Sequence, residues 1–240
     1  MKFIRTRREN FPTNFIAKAN IEFTTTSIIT INPGEMRDST DSFNIILESP
    51  SVLDITAFGF GGLDVGSEAF DIYYAVYVIA DSTDINVPKG IFSTSVTSPT
   101  LPSGYDLFRR VGMVKNNSSG NFLNFYQFGS GNTRKMRYLE SLKSPNNLIV
   151  LSAGTSAVFA DVDCSPFAPC VSDVIEIFIM PQNKDGVVRP NGTSINFASY
   201  SASSKPIIYE IQAPGQIIEY ANDSSGGSTD ISVLGYYDEI

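Results

Sequence analysis

Residues 71–129 read DIYYAVYVIADSTDINVPKGIFSTSVTSPTLPSGYDLFRRVGMVKNNSSGNFLNFYQFG, and their pattern decides the fold. The stretch opens on Ile72-Tyr73-Tyr74-Ala75-Val76-Tyr77-Val78-Ile79-Ala80, the densest run of β-formers in the chain. Its apolar residues do not alternate with polar ones, the pattern of a strand covered on both faces in a sandwich interior or a subunit interface. Turn-forming residues at 81–86, 98–104 and 116–120 then divide the stretch into four strands separated by three loops. Residues 90–97 alternate Ile91, Ser93 and Ser95 with Phe92, Thr94 and Val96, as a half-exposed strand does. Residues 108–115 and 121–128, joined by Asn116-Asn117-Ser118-Ser119-Gly120, read as an antiparallel hairpin.

The same grammar extends outward. Residues 21–31, IEFTTTSIITI, are almost entirely β-branched and read as one strand, ended by the turn Asn32-Pro33-Gly34. Residues 43–48 and 54–60 read as two more. Gly59, Gly61 and Gly62 close the second and allow positive φ or a bulge. GFGG lacks the Lys-Ser/Thr ending of a phosphate loop. Downstream, residues 148–152, 156–162, 174–180, 194–201 and 206–212 read as strands, with a tight turn at Pro190-Asn191-Gly192-Thr193. Residues 222–230, NDSSGGSTD, read as a flexible segment, and 231–237 as a last strand or docking tail. Two stretches carry helical signals. In 133–143 Met136, Leu139 and Leu142 recur every third residue among charged neighbours, with a strand as the alternative. Over 14–20 a short helix competes with an irregular arm. Ten or more short strands without a repeat of fixed period predict an all-β chain. The expected architecture is an antiparallel β-sandwich or jelly roll, with a closed barrel as alternative and at most one short helix. The expected organisation is an N-terminal basic arm over 1–20, then a single domain over 21–240.

Composition narrows the chemistry. With 42% hydrophobic and 18% charged residues the chain is globular. No apolar run reaches the length of a membrane span. Arg5, Arg7 and Arg8 lack the apolar stretch that would follow them in a secretory signal. The net charge is −8, unevenly placed: beyond residue 8 there are 13 basic and 25 acidic residues, a body charge of −12. Such a body repels nucleic acid. Lys2, Arg5, Arg7 and Arg8 are therefore the candidate contacts to an acidic partner surface or to packaged nucleic acid, against the plain reading of a solvated terminus.

The chain has no histidine, which removes His-dependent nucleophile sites and His-based zinc sites. Cys164 and Cys170, in CSPFAPC, form either a local disulfide or two free thiols. Two cysteines alone do not complete a structural zinc site. No cofactor or metal is expected. Carboxylate chemistry remains as an acid–base route, with Asp64, Glu68, Asp71 and Asp81 flanking the central strand, but no spacing selects a pair and turns favour aspartate on their own account. Residues 161–163 and 81–84 carry aspartates without calcium-loop spacing. Of Arg109 and Arg110, alternation sends one outward and the other toward an interface or a buried carboxylate. Tyr73, Tyr74, Tyr77, Tyr105 and Tyr126 fit core or subunit contact better than an exposed carbohydrate-binding face. Asn116, Asn117, Asn191 and Asn222 match the glycosylation pattern, which means little without a secretory signal.

Residues 62–129 also resemble a segment of tailed-phage and prophage structural proteins. The resemblance is carried by Gly62-Leu63-Asp64-Val65-Gly66-Ser67-Glu68-Ala69, by the Tyr-rich strand Tyr74 to Ala80 and by Ser95 to Tyr105. It continues through the paired-arginine strand Arg109 to Gly112 and the aromatic strand Gly120 to Gln127. It implies a virion-associated, β-rich fibre, tail or head-attached protein that is not an enzyme. Such a protein would be made in the host cytoplasm, assembled as a homo-oligomer and docked on capsid or tail proteins, with no membrane partner. The resemblance brings no active-site residues. The alternative from a different class is a carbohydrate-binding module for host-surface glycans, and a carboxylate glycosidase ranks below both.

Overall fold

A computed structural model of the chain describes residues 12–83, 86–139, 148–183, 185–201, 205–223 and 227–240, and the backbone of Thr6–Arg7. Among these residues the chain is built from antiparallel strands with no α-helix, an all-β sandwich-type fold. Where the sequence reading draws one domain over 21–240, contacts draw two compact units: Met1–Lys135 with Asp238–Ile240, and Met136–Tyr237.

The first unit holds β1 (Thr6–Arg7), β2 (Ile16–Lys18), β3 (Ile21–Phe23), β4 (Ile28–Ile31), β5 (Gly34–Arg37) and β6 (Asn44–Leu47). It continues with β7 (Ser51–Asp54), β8 (Tyr73–Ala80), β9 (Lys89–Ser93), β10 (Leu107–Lys115), β11 (Phe125–Phe128) and the start of β12 (Thr133–Tyr138). Its sheets run β1-β6-β5-β2, β10-β8-β9 and β11-β3-β4-β7. β8 is the centre, with Tyr74 to Ala80 all buried, as its unbroken apolar run predicts. The second sheet lies closely over the third. A Cβ placed on Gly90 would sit 2.4 Å from Leu53 Cδ1 and 2.7 Å from Ile31 Cδ1, and one on Gly112 would sit 2.8 Å from Ile21 Cδ1. The two glycines let the sheets approach where a side chain would hold them apart.

The second unit holds β13 (Ile149–Gly154), β14 (Ala160–Asp163), β15 (Val174–Gln182), β16 (Gly186–Pro190), β17 (Ala198–Tyr200), β18 (Ile207–Gln212), β19 (Ile217–Asn222) and most of β20 (Ser228–Glu239). A 3-10 turn spans Pro214–Gln216. One sheet runs β18-β15-β20, with β13 also on β20, and the other runs β14-β19-β16-β17. A buried polar knot joins them: the Asn222 Oδ1 accepts from Tyr200 Oη and from Thr229 Oγ1, each at 2.8 Å, and its Nδ2 donates to the Gly154 carbonyl at 3.0 Å. Fully paired, such a group fixes one packing arrangement.

Several expectations are corrected. Residues 133–138 of the expected helix form β12, whose buried face carries Arg134 and Met136, and 140–147 lie outside the described residues. The helix over 14–20 is replaced by β2 and by Lys18 and Ala19 at positive φ. The single strand over 21–31 is a hairpin: Thr25 Oγ1 accepts from the N–H groups of Ser27 (3.4 Å) and Ile28 (3.1 Å), turning a β-branched run back on itself. Residues 55–60 are loop, the strand having ended at Asp54. The expected hairpin of β10 and β11 survives only as a bridge at Asn116 and Phe122, because β10 pairs with β8 and β11 with β3. Residues 222–230 include the end of β19 and the start of β20, and 224–226 lie outside the described residues.

Candidate interaction site

The connection from β7 to β8, residues 55–72, contains the lead-in of the resembling segment. Glycine chemistry shapes its first half. Gly59 and Gly61 have φ of 81° and 79°, open to glycine at little cost. Gly62 serves differently: a Cβ there would lie 2.4 Å from the Ala57 backbone carbon and oxygen. The loop then lies along the outer edge of β9. Gly61 N–H donates to Gly90 O (2.7 Å), Phe92 N–H to Gly62 O (2.8 Å) and Asp64 N–H to Phe92 O (2.8 Å). An edge that would otherwise invite another chain is thereby covered.

The polar residues of the lead-in are spent on the fold. Asp64 is buried and accepts from the N–H groups of Val65 and Thr100, each at 2.8 Å, tying the 98–102 loop to its own. Tyr74 Oη accepts from Ala69 N–H and donates to Ala69 O, at 2.7 and 2.9 Å. Asn116 is fully buried: its Oδ1 accepts from Ile72 N–H (3.0 Å), and its Nδ2 donates to Ala69 O (2.7 Å) and Glu68 Oε1 (3.2 Å). Lys115 Nζ donates to Asp71 Oδ1 and Asp71 O, at 2.7 and 2.6 Å.

What the braced loop presents is aromatic. Phe58, Phe60 and Phe70 are 72%, 59% and 61% exposed. An open cavity of about 340 Å³ lies among Ile55, Phe58, Leu63, Ser67, Glu68 and Phe70, with Gly66 also on its wall. Phe60 packs near Tyr105, ring centroids 6.3 Å apart. The sequence reading places Phe58 and Phe60 in a strand over 54–60 and assigns Phe70 to none. The missed signal is Phe-Gly-Phe-Gly-Gly itself, since glycines at positive φ break the alternation that would bury the rings.

The five candidate tyrosines divide, and the core reading holds for two of them while Tyr126 departs from it. Tyr74 and Tyr77 are buried, and burial pushes the Tyr77 hydroxyl up to about 12. Tyr105 donates to Val87 O, and Tyr126 is exposed beside Phe128. Neither arginine of the pair points outward. A bulge between Arg110 and Gly112 interrupts the alternation of β10. Arg110 pairs with Asp238 at 2.6 Å, and Arg109 donates to Asn14 Oδ1 (3.2 Å) and Ile240 O (2.7 Å). Burial lowers Arg109 and raises Asp238, outweighing the pull of Arg110. Arg134, fully buried, donates to the carbonyls of Lys18, Ala19 and Gly131 and to Gln127 Oε1; burial brings it down to about 10, still protonated at neutral pH.

Lys2, Arg5 and Arg8 lie outside the described residues, and the backbone of Arg7 pairs with Asn44 in β1. Cys164 and Cys170 are free thiols, the first buried and the second exposed. Of the acids of the catalytic alternative, Asp81 holds a turn: it accepts from the Thr83 and Asn86 N–H groups at 2.8 and 3.1 Å, and hydrogen bonding, first from the Thr83 hydroxyl, holds it below its usual range. Among the described residues no three His, Cys, Asp or Glu side chains gather as a metal site would. Compared with protein-family models, curated proteins and solved structures, the chain matches none.

Proposed function

We propose that this chain is a non-enzymatic structural protein of a tailed-phage particle, an accessory head- or tail-attached component that assembles through contacts between its own copies. The observation that carries the reading is the use made of the resembling segment. Asp64, Tyr74, Lys115 and Asn116 direct their polar atoms at neighbouring backbone within residues 62–129. Side chains spent in this way hold a rigid β scaffold and leave little for acid–base chemistry. The acidic body supports docking of a basic N-terminus on an acidic neighbour.

Light scattering on the full chain tests the reading, beside a variant carrying Lys2→Gln, Arg5→Gln, Arg7→Gln and Arg8→Gln. Truncating residues 1–20 would remove β2, so charge is removed and the chain is kept. A defined oligomer is expected, weakened in the variant if the basic residues make the contacts. A monomer at all concentrations, with no affinity for purified particles, overturns the proposal.

A further inference from the structure

We propose that the cavity between Phe58 and Phe70 is a saccharide site that takes a neutral pyranose ring. The inference stands whether or not the chain assembles on a particle.

Three observations carry it. First, the exposure of Phe58 and Phe70 is held in place. The loop between them is pinned to β9 at Gly61, Gly62 and Asp64, to the 98–102 loop by Asp64, and to Tyr74 and Asn116 at Ala69. Rings displayed on a fixed backbone lose little freedom when a ligand arrives. Second, the cavity of about 340 Å³ falls within the size of small-molecule sites, and Gly66 leaves open space where a Cβ would stand.

Third, the lining is amphipathic in the manner of a sugar. A pyranose offers an apolar face of C–H groups and a girdle of hydroxyls. Phe58 and Phe70 supply aromatic surface, Leu63 supplies apolar surface, and Ser67 and Glu68 bring hydroxyl and carboxylate groups. Glu68 is anchored through Oε1 by Asn116, so its carboxylate is a positioned acceptor for sugar hydroxyls. No lysine or arginine lines the cavity and the chain is acidic, which disfavours sialic or uronic acids.

The test uses the labelled full chain on an array of neutral hexose- and N-acetylhexosamine-terminated oligosaccharides, with sialylated and uronate-terminated ones beside them. The best ligand is then titrated against Phe58→Ser, Phe70→Ser and Glu68→Gln. Both phenylalanines are mostly exposed, so the urea midpoints should stay at the parent value and show the variants folded. The expected result is binding to neutral glycans, weakened about tenfold or more by each Phe→Ser change, as loss of a stacking partner would do, and less by Glu68→Gln. Binding to acidic glycans alone, to none, or equally by the Phe variants overturns the proposal. So does a loss of oligomer mass in the Phe variants without any glycan binding, which would make the patch a contact between copies.

Discussion

Replacing Asn116 by aspartate changes one nitrogen to oxygen at the point where the aromatic loop is fastened. The acceptor toward Ile72 N–H at 3.0 Å is kept. The donor is not: a carboxylate oxygen would face Ala69 O across 2.7 Å and Glu68 Oε1 across 3.2 Å. One neutral hydrogen bond, worth about 1 kcal/mol, and one to a charged group, worth about 1.5–3 kcal/mol, are lost. The introduced carboxyl can escape part of the added repulsion by holding its proton, so about 3 kcal/mol is the expected cost. For a chain of this size that lowers the melting temperature by roughly 6–12 °C. A carboxyl whose folded pKa is raised gives stability below its unfolded pKa that is lost as pH rises through the folded value. The deficit of Asn116→Asp should therefore be full at pH 8 and shrink toward pH 4. Urea unfolding at both pH values measures this, and hydrogen exchange at the Ile72 amide should accelerate. A variant within about 0.5 kcal/mol of the parent at pH 8, or one whose deficit grows on acidification, would refute the reasoning.

Four further outcomes are expected. Arg134→Met and Arg134→Lys should each cost about 3–5 kcal/mol in urea unfolding, since both leave the buried Ala19 carbonyl and the part-buried bonds to Lys18 and Gly131 without the forked donor; an Arg134→Met protein of parental stability would contradict this. Gly62→Ala should cost about 1–3 kcal/mol through its clash with the Ala57 backbone. Gly59→Ala, with open space but positive φ, should cost only about 1 kcal/mol, and the reverse order would count against the close approach. On acidification the stability supplied by Asp38 and Asp81 should be lost below about pH 4. Burial pushes Asp38 up, but hydrogen bonds from Thr40, Phe43 and Ser42 outweigh it and hold it low, as hydrogen bonding does Asp81. Asp38→Asn should accordingly flatten the acid limb of the stability curve measured by urea titration. With a thiol reagent at pH 8 the native chain should give one fast thiol, Cys170. Burial pushes Cys164 up to about 12 and it should react only on unfolding, so two fast thiols or none would refute the assignment.

The sequence displays what depends on apolar runs and hides what depends on paired polar groups. β8 and β15 are legible because Tyr73 to Ala80 and Val174 to Met180 are long and nearly free of charge. β5, with the sequence GEMR, and β19, with IIEYAN, carry charge or turn-formers inside a strand and give no clear strand signal. β12 reads first as a helix for a related reason: Arg134 looks like a surface residue of a helix until its carbonyl acceptors are seen, all distant in sequence except Gly131. The aromatic site was hidden because periodicity cannot say that a phenylalanine among glycines stays exposed. Asn116, legible only as a glycosylation pattern, is the clamp on that site because Glu68 and Ala69, more than forty residues away, fold against it.

The most direct test of the central claim is mass spectrometry of phage particles purified on a density gradient from a culture that produces this chain. The account predicts its peptides in the particle band at a fixed ratio to the major capsid protein, retained through a second gradient. Peptides found only in the soluble fraction, with none in the band, would contradict it.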